Sequence, residues 1–504
     1  MESSFDISRW TWANARWRPD CPALVAGART LTYRQLEDRV ARLTAALQGL
    51  GVQPGDRVAL LLGNRVELVE LVLATARLGA LAVPLNHRLT ARELAFMLRD
   101  CAATILFGDP DLRTLVAKLR AEPQPVTRWL EAGRDTEALL AEAAAGLPPG
   151  LPAAAVDAHT PHLILYTAGT TGLPKGVVLT HGNTFWQTMN ATALGLLPGT
   201  VGLALLPLFH VGGLLGSVLP VLFIGGTVVL QARFDAGETL RLIQAHKVQG
   251  MVAVPAIYQF LAAHPDFATT DLSSLVVLTS GGAPLPLHTI EVYRQRGVLF
   301  RQGYGLTEAA AGVTGMDPQD CFTHAGTVGK AVHFVSLRIV DDQGADVPPG
   351  ARGELWVRGP NVMAGYWNRP EETAKVLVDG WLRTGDAASR DEAGYVTIYG
   401  RQKEMIISGG ENIYPAELEN ALAEHAGVAE ATVFGVPDAT WGQRPVAFVA
   451  ARPGQVLTAA ELVAFLEERL ARFKLPREFH LVPALPRSAA GKVLQDELRK
   501  LLSQ

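Results

Sequence analysis

The residues best suited to chemistry lie in one short run, Tyr166-Thr167-Ala168-Gly169-Thr170-Thr171-Gly172-Leu173-Pro174-Lys175-Gly176. Glycines let a backbone bend and approach a polyanion, hydroxyls donate to phosphate oxygens, and a lysine offsets the charge. The run therefore reads as a cradle for a chain of phosphates. A Walker loop is excluded, because it needs Gly-Lys-Ser/Thr opening a helix, whereas Pro174 precedes Lys175 and Gly176 follows it.

Such a cradle has to be held between regular elements. The aliphatic Leu163–Leu165 before it and Val177-Val178-Leu179 after it predict strand, loop, strand. Upstream, helix-period segments at Leu36–Leu47 and Leu68–Leu78 alternate with short aliphatic runs at Val58–Leu62, Leu81–Pro84 and Thr104–Phe107. That alternation predicts an α/β fold with sheets flanked by helices. The uncharged stretch Val201–Gln231 is long enough to cross a bilayer, but Pro207, Gly212, Gly213, Gly216, Pro220, Gly225 and Gly226 break it up. A buried strand, helix and strand are expected there instead. Between Arg338 and Tyr399 the pattern turns to short strands with Gly/Pro turns at Gln343-Gly344 and Pro348-Pro349-Gly350, a β-rich segment. From about Gly400 an α+β pattern follows, with helices at Glu417–Ala426 and Ala459–Ala471 and strands at Ala431–Val436 and Val446–Ala450. The expected fold is thus a large N-terminal domain of α/β sheets plus a β-rich subdomain over residues 1–400, and a small α+β C-terminal domain over 401–504.

Composition sets the class. At 504 residues the chain exceeds one core and divides into domains. A net charge of −4 with interleaved signs gives no basic stripe, so nucleic acid is not an expected partner. Cys21, Cys101 and Cys321 are few, odd in number and scattered, which excludes a disulfide framework and suits a reducing cytoplasm. Residues 1–20 lack an apolar signal-peptide core, since Arg9, Trp10, Arg16 and Arg18 interrupt them. Monomer and homodimer both remain open.

The phosphate run resembles the signature of the adenylate-forming superfamily of acyl-CoA synthetases, firefly luciferase and nonribosomal-peptide adenylation domains. Further segments resemble its other motifs in order along the chain. In Ser280-Gly281-Gly282-Ala283-Pro284 small residues would let adenine lie against backbone, and in Gln302-Gly303-Tyr304-Gly305-Leu306-Thr307-Glu308 the resemblance implies Tyr304 on adenine, Thr307 on phosphate and Glu308 on Mg²⁺. Trp381–Asp386 resembles the ribose motif, with Asp386 as acceptor; Gly400–Asn412 resembles the boundary motif, with Arg401 on ribose, Lys403 as hinge, and Gly409 and Gly410 beside the pantetheine channel. Pro486–Lys492 resembles the C-terminal loop whose lysine acts in adenylation, and His210 in Pro207–Gly213 resembles the aromatic gate beside the acyl carboxylate. One departure is Ala168, where a Ser is usual. Nine of the chain's 45 basic residues are lysine, so Lys at 175, 403 and 492 together by chance is about a 1 in 100 event.

The resemblance implies that ATP activates a carboxylic acid as an acyl-adenylate, with Lys175, Lys492 and Mg²⁺ on Glu308 offsetting the developing charge. The small domain would then swing on Lys403, withdraw Lys492 and admit coenzyme A, whose nucleotide phosphates would meet Arg472 and Lys474. The acid pocket is expected from Leu208–Leu215, Val254–Tyr258, Ser280–Ala283 and Gly303–Ala311, apolar and without an obvious fixed charge. That suits a medium- or long-chain fatty acid first and an aryl acid of benzoate or cinnamate type second, with a dicarboxylate or an amino acid behind them. Arg301 can point inward or to solvent. A luciferase-type oxygenase shares the motifs, and a non-enzymatic nucleotide-binding module is the reading from a different class.

Overall fold

The computed structural model describes residues 5–143, 156–167, 174–283, 285–401, 404, 406–408, 411–438, 442–470, 472–488 and 493–502. They form two compact units. The first joins Met1–His324, Gly329–Ser336 and Val357–Leu382; the second joins Ala325–Val328, Leu337–Trp356 and Arg383–Gln504.

The first unit holds two seven-stranded sheets. One runs Phe300–Gln302, Val277–Ser280, Gly250–Ala253, Val201–Ala204, Thr227–Leu230, Pro22–Ala26, Arg29–Thr32. Its pairings are parallel except the last, which closes a hairpin. The other runs Gly365–Tyr366, Lys175–Thr180, Pro161–Thr167, Leu81–Pro84, Arg57–Leu61, Ile105–Gly108, Arg128–Glu131. Here the strands from Pro161–Thr167 to Arg128–Glu131 pair in parallel, while the first two pairings are antiparallel. Parallel strands covered on both faces must be apolar throughout, and Leu81–Pro84 is buried at every position.

Local signals fix the helices. Thr32 with Gln35, Thr90 with Glu93 and Thr180 with Asn183 form reciprocal capping boxes that start Tyr33–Gly49, Ala91–Cys101 and His181–Ala193. Val201–Gln231 is the predicted strand, helix and strand, and among the described residues no helix is long and apolar enough to cross a membrane. Its helix changes winding: Val211–Gly213 is α, Leu214–Val218 is π, and Leu219–Phe223 is α again. Pro220 has no N–H for the Gly216 carbonyl, and the π turn just before it absorbs that loss, with Ser217 Oγ donating to the Gly212 carbonyl at 3.0 Å.

The second unit contains a sheet ordered Glu411–Ile413, Ile406–Ser408, Gly442–Ala451, Val428–Asp438, with Glu478–Val482 pairing in parallel to Gly442–Ala451. Strand alternation sends Val433, Ala447 and Val449 to the face covered by the helices Pro415–Ala423 and Ala459–Glu467, and Phe434, Val446 and Phe448 to the face covered by Leu485 and Leu498. The β-rich segment packs here in part, through Leu337–Trp356 and the chain from Arg383, while Val357–Leu382 belongs to the first unit. Arg352 binds Glu417 at 3.2 Å and lies over the rings of Tyr399 (3.9 Å) and Tyr414 (5.0 Å), joining that segment to the helix Pro415–Ala423. The compact units thus group residues differently from the 1–400/401–504 expectation.

Candidate active site

The phosphate end is built by a hairpin and a distant return of the chain. Strands Pro161–Thr167 and Lys175–Thr180 pair antiparallel with Thr167 opposite Lys175, so both residues stand at the mouth of the turn. Ala168, Gly169, Thr170, Thr171 and Gly172 lie outside the described residues. Tyr166 anchors the hairpin by donating to Asp100 Oδ2 at 2.8 Å and to the Met97 carbonyl at 3.1 Å. Lys175 is ion-paired to Glu372, and its Nζ sits 5.3 Å from the centre of the Tyr366 ring. Tyr366 donates to Glu308 Oε1 at 3.0 Å, linking the lysine and the carboxylate through one aromatic side chain.

Glu308 and Thr307 occupy the single turn Thr307–Ala309. Its backbone is pinned by residues 360–364. Met363 N–H donates to the Glu308 carbonyl at 2.8 Å, and the buried Asn361 amide donates to the Ala309 carbonyl at 2.8 Å. Asn183, having capped its own helix, donates to the carbonyls of Pro360 (2.9 Å) and Val362 (2.7 Å). Sequence reading missed Tyr366, Glu372, Asn361 and Asn183. Only the proximity of Tyr366 and Glu372 to the Gly365 turn could have hinted at them.

Whether this end suits Mg²⁺ can be tested on its donors. The described residues contain no cluster of three or more His, Cys, Asp or Glu able to hold a metal alone. Mg²⁺ commonly takes one or two carboxylates and completes its shell with phosphate oxygens and water. Glu308 beside the hydroxyl of Thr307 fits that habit.

The acid end is a cavity of about 420 Å³ at the carboxyl edge of the first sheet. The three strands Gly250–Ala253, Val277–Ser280 and Phe300–Gln302 align Val252 with Thr279 and Thr279 with Arg301, and these three are only part-buried while both flanking positions of Arg301 are buried. Val252, Thr279 and Arg301 thus share the face that lines the cavity. His210 lines it as well, exposed, capping the helix from Val211 with its ring 4.6 Å from that of Phe209. Close chain approach demands glycine nearby: a Cβ on Gly213 would lie 2.3 Å from the Pro207 carbonyl oxygen, and one on Gly305 would lie 1.5 Å from that of Ala311.

Several residues expected at the nucleotide lie along this cavity. Gly282, Gly303, Tyr304 and Gly305 line the cavity, Gly303 N–H donating to the Ser280 carbonyl at 3.0 Å. Ala283 is exposed beside them. Gln302 turns the other way: it is buried, and its Oε1 accepts from Leu285 N–H at 3.3 Å, bracing the turn instead of facing the cavity. The lining also departs from expectation. Leu208, Leu214, Leu215 and Tyr258 are buried in packing, whereas the helix His181–Ala193 contributes Gln187, Asn190 and Ala191, and Arg301 brings a charge into a wall expected to be neutral. The strand register of Arg301 decides this, and register is set by pairing and not by local sequence.

In the second unit Asp386 and Arg401 face each other across antiparallel strands, with Arg401 Nε 3.0 Å from Asp386 Oδ1. Lys474 binds Glu417 Oε1 at 2.7 Å and is largely buried, so its ammonium does not face solvent for a nucleotide phosphate. Arg472 is exposed, 3.4 Å from Glu467. Lys403, Gly409, Gly410 and Lys492 lie outside the described residues.

A hairpin with Lys175 at its mouth, the carboxylate of Glu308 linked to it through Tyr366, and an apolar cavity are parts that a nucleotide-handling enzyme needs. Residues 11–367 match the family model described as AMP-binding enzyme, and residues 417–492 match the AMP-binding enzyme C-terminal domain. The chain is 42% identical over 497 residues to feruloyl-CoA synthase of an Amycolatopsis species, covering 98% of each. It is 42% identical over 509 residues to indoleacetate–CoA ligase of Aromatoleum aromaticum, covering 99% of this chain and 98% of the relative. The crystal structure of O-succinylbenzoate coenzyme A synthetase from Bacillus subtilis with ATP and magnesium ion superposes with a TM-score of 0.87 at 33% identity, covering 97% of this chain and 99% of that one. The chain belongs to the AMP-binding enzyme family and is an AMP-forming acid–coenzyme A ligase that uses ATP, Mg²⁺ and coenzyme A.

Proposed function

We propose that the acid is aromatic. The observation that carries this choice is the cavity wall: Gly202, Gly216, Gly250, Gly281, Gly303 and Gly312 present bare backbone around about 420 Å³. Surfaces without side chains suit a flat ring, which can lie against peptide planes, better than a flexible chain that needs a long narrow tube. The feruloyl and indoleacetate relatives support the same choice. The second reading is a medium- or long-chain fatty acid, favoured by the apolar Leu194, Leu203, Val221 and Met251 in the same wall.

In the first step the acid carboxylate attacks the α-phosphorus of ATP and pyrophosphate leaves, a displacement that needs no general base because the acid is already ionised. Lys175 offsets charge on the phosphates, with Thr167, Gly169, Thr170, Thr171 and Gly172 as the surrounding donors. Glu308 would hold Mg²⁺, which when bound would offset phosphate charge, and Thr307 donates to phosphate. Tyr304 stacks on adenine beside Gly282 and Ala283, and Asp386 with Arg401 accepts and donates at the ribose. Lys492 is delivered by the C-terminal domain for adenylation, which then swings near Lys403. In the second step the coenzyme A thiol attacks the acyl carbonyl and AMP leaves. His210 stands at the gate beside that carbonyl, Gly409 and Gly410 border the pantetheine path, and Arg472 meets the nucleotide phosphates. The test is kcat/KM across benzoate, cinnamate, octanoate, palmitate, acetate and malonate with coenzyme A. The aromatic reading requires the ring acids to lead by at least about tenfold; octanoate or palmitate leading would replace it with the second reading.

A further inference from the structure

Arg301 is the one Lys or Arg side chain in the cavity lining of described residues. Its Nε donates to the Met316 carbonyl at 2.9 Å, and no other hydrogen bond or ion pair engages its guanidinium among the described residues. The carboxylate that acts on it electrostatically, Asp317, is exposed and caps Gln319 N–H at 2.9 Å. Burial lowers the guanidinium below its usual range, and Asp317 opposes that only in part.

A second unsatisfied donor lies nearby. Asn190 is 1% exposed and lines the same cavity; its Oδ1 accepts from Phe334 N–H at 3.1 Å, while its Nδ2 has no partner. Both flank one segment. Arg301 holds the Met316 carbonyl, and a Cβ on Gly315 would lie 2.9 Å from Leu194 Cδ1, one helical turn beyond Asn190. A wall with one part-buried cation and one buried idle amide donor is short of acceptors, and leaving the buried donor unpaired costs stability.

We propose that Arg301 is a specificity-determining residue that binds an oxygen acceptor, a phenolate or ring carboxylate, carried by the acid away from its reacting carboxyl group. The proposal rests on the aromatic reading for the identity of the acid, but the charge in the wall is independent of it. Selection arises because an acid lacking the acceptor leaves the part-buried guanidinium with the Met316 carbonyl as its one acceptor, whereas a matching one adds a charge-assisted bond.

The experiment compares matched acids differing only in the acceptor: cinnamate against 4-carboxycinnamate, and octanoate against octanedioate. They are tested on wild type, Arg301→Met and Arg301→Lys, reading kcat/KM for the acid, KM for ATP, and melting temperature. Wild type is expected to favour the acceptor-bearing acid by about tenfold or more. Arg301→Met should erase that preference, mainly through KM for the acceptor-bearing acid, and Arg301→Lys should restore part of it. Equal loss on both members of a pair, or no wild-type preference in either pair, overturns the proposal. If Arg301→Met fails to fold, wild type and Arg301→Lys decide by the same ratios. Should only the octanoate pair turn over, with its preference dependent on Arg301, the aromatic reading falls and the role of Arg301 stands.

Discussion

Lys175 must share its ammonium between Glu372 and any bound phosphate, so the two anions compete for its charge. The two side chains are 16% and 30% exposed, a partly screened pair. Its strength follows from general magnitudes: a hydrogen bond to a charged group contributes about 1.5–3 kcal/mol when buried, and an exposed ion pair about 0–1. About 1 kcal/mol is a fair value between them, a factor of about five in an equilibrium constant. The Lys175 hydrogen bond lowers the Glu372 pKa below the usual carboxylate range, so Glu372 stays ionised near neutral pH and the competition persists. Replacing Glu372 by Gln removes the charge but keeps the shape. ATP affinity, measured by calorimetry at fixed ionic strength and fixed Mg²⁺, should tighten about fivefold, and added salt should shrink the difference. Lys175→Met should weaken ATP binding and abolish the effect of Glu372→Gln in the double variant. Unchanged or weaker ATP binding in Glu372→Gln would show that Glu372 positions Lys175 in the bound state and does not compete with phosphate, refuting the reasoning.

Gly305→Ala would place a Cβ 1.5 Å from the Ala311 carbonyl oxygen, so the turn carrying Thr307 and Glu308 must shift; kcat/KM for ATP should fall about 100-fold, and an activity within threefold of wild type would contradict the assignment. His162 and His181 are buried 5.0 Å apart, burial pushing His181 down to about 4 and His162 well below its usual value, with the neighbouring His181 adding to the latter. Both are neutral in the fold and protonate first in the unfolded chain, so their stability is complete above about pH 6.5. It falls by about 1.4 kcal/mol per pH unit for each as pH drops toward 4. His162→Gln should flatten the dependence of melting temperature on pH between 6.5 and 5, a slope equal to that of wild type counting against it. Lys492→Ala should suppress adenylation yet spare thioester formation from supplied acyl-adenylate, with equal loss of both half-reactions excluding the proposed delivery.

The parts of the fold that depend on neighbouring residues were legible in the sequence. Leu81–Pro84 is the strand its aliphatic run predicts, and the prolines and glycines of Val201–Gln231 cut it into strand, helix and strand as expected. The helix expected over Ala459–Ala471 ends at Glu467, a fraying terminus that propensity does not locate. What depends on chain return was not legible. Glu372 reaches Lys175 because Gly365–Tyr366 pairs with Val177–Val178, an antiparallel contact between segments about two hundred residues apart. Arg301 faces the cavity because parallel register places it level with Thr279, and a slip of one position would have buried it. The β-rich segment joins the second unit through Arg352, whose ring and carboxylate partners at Tyr399, Tyr414 and Glu417 no local pattern announces.

The central claim is that an aromatic acid is adenylated before any thiol is needed. The direct measurement is pyrophosphate and AMP formation by the enzyme with ATP, Mg²⁺ and cinnamate, first without coenzyme A and then after its addition. The account predicts an acid-dependent release of about one pyrophosphate per active site, with acyl-adenylate retained, followed on addition of coenzyme A by continuous turnover to AMP and cinnamoyl thioester. Release of pyrophosphate without acid, or formation of ADP and phosphate in place of AMP and pyrophosphate, would contradict it.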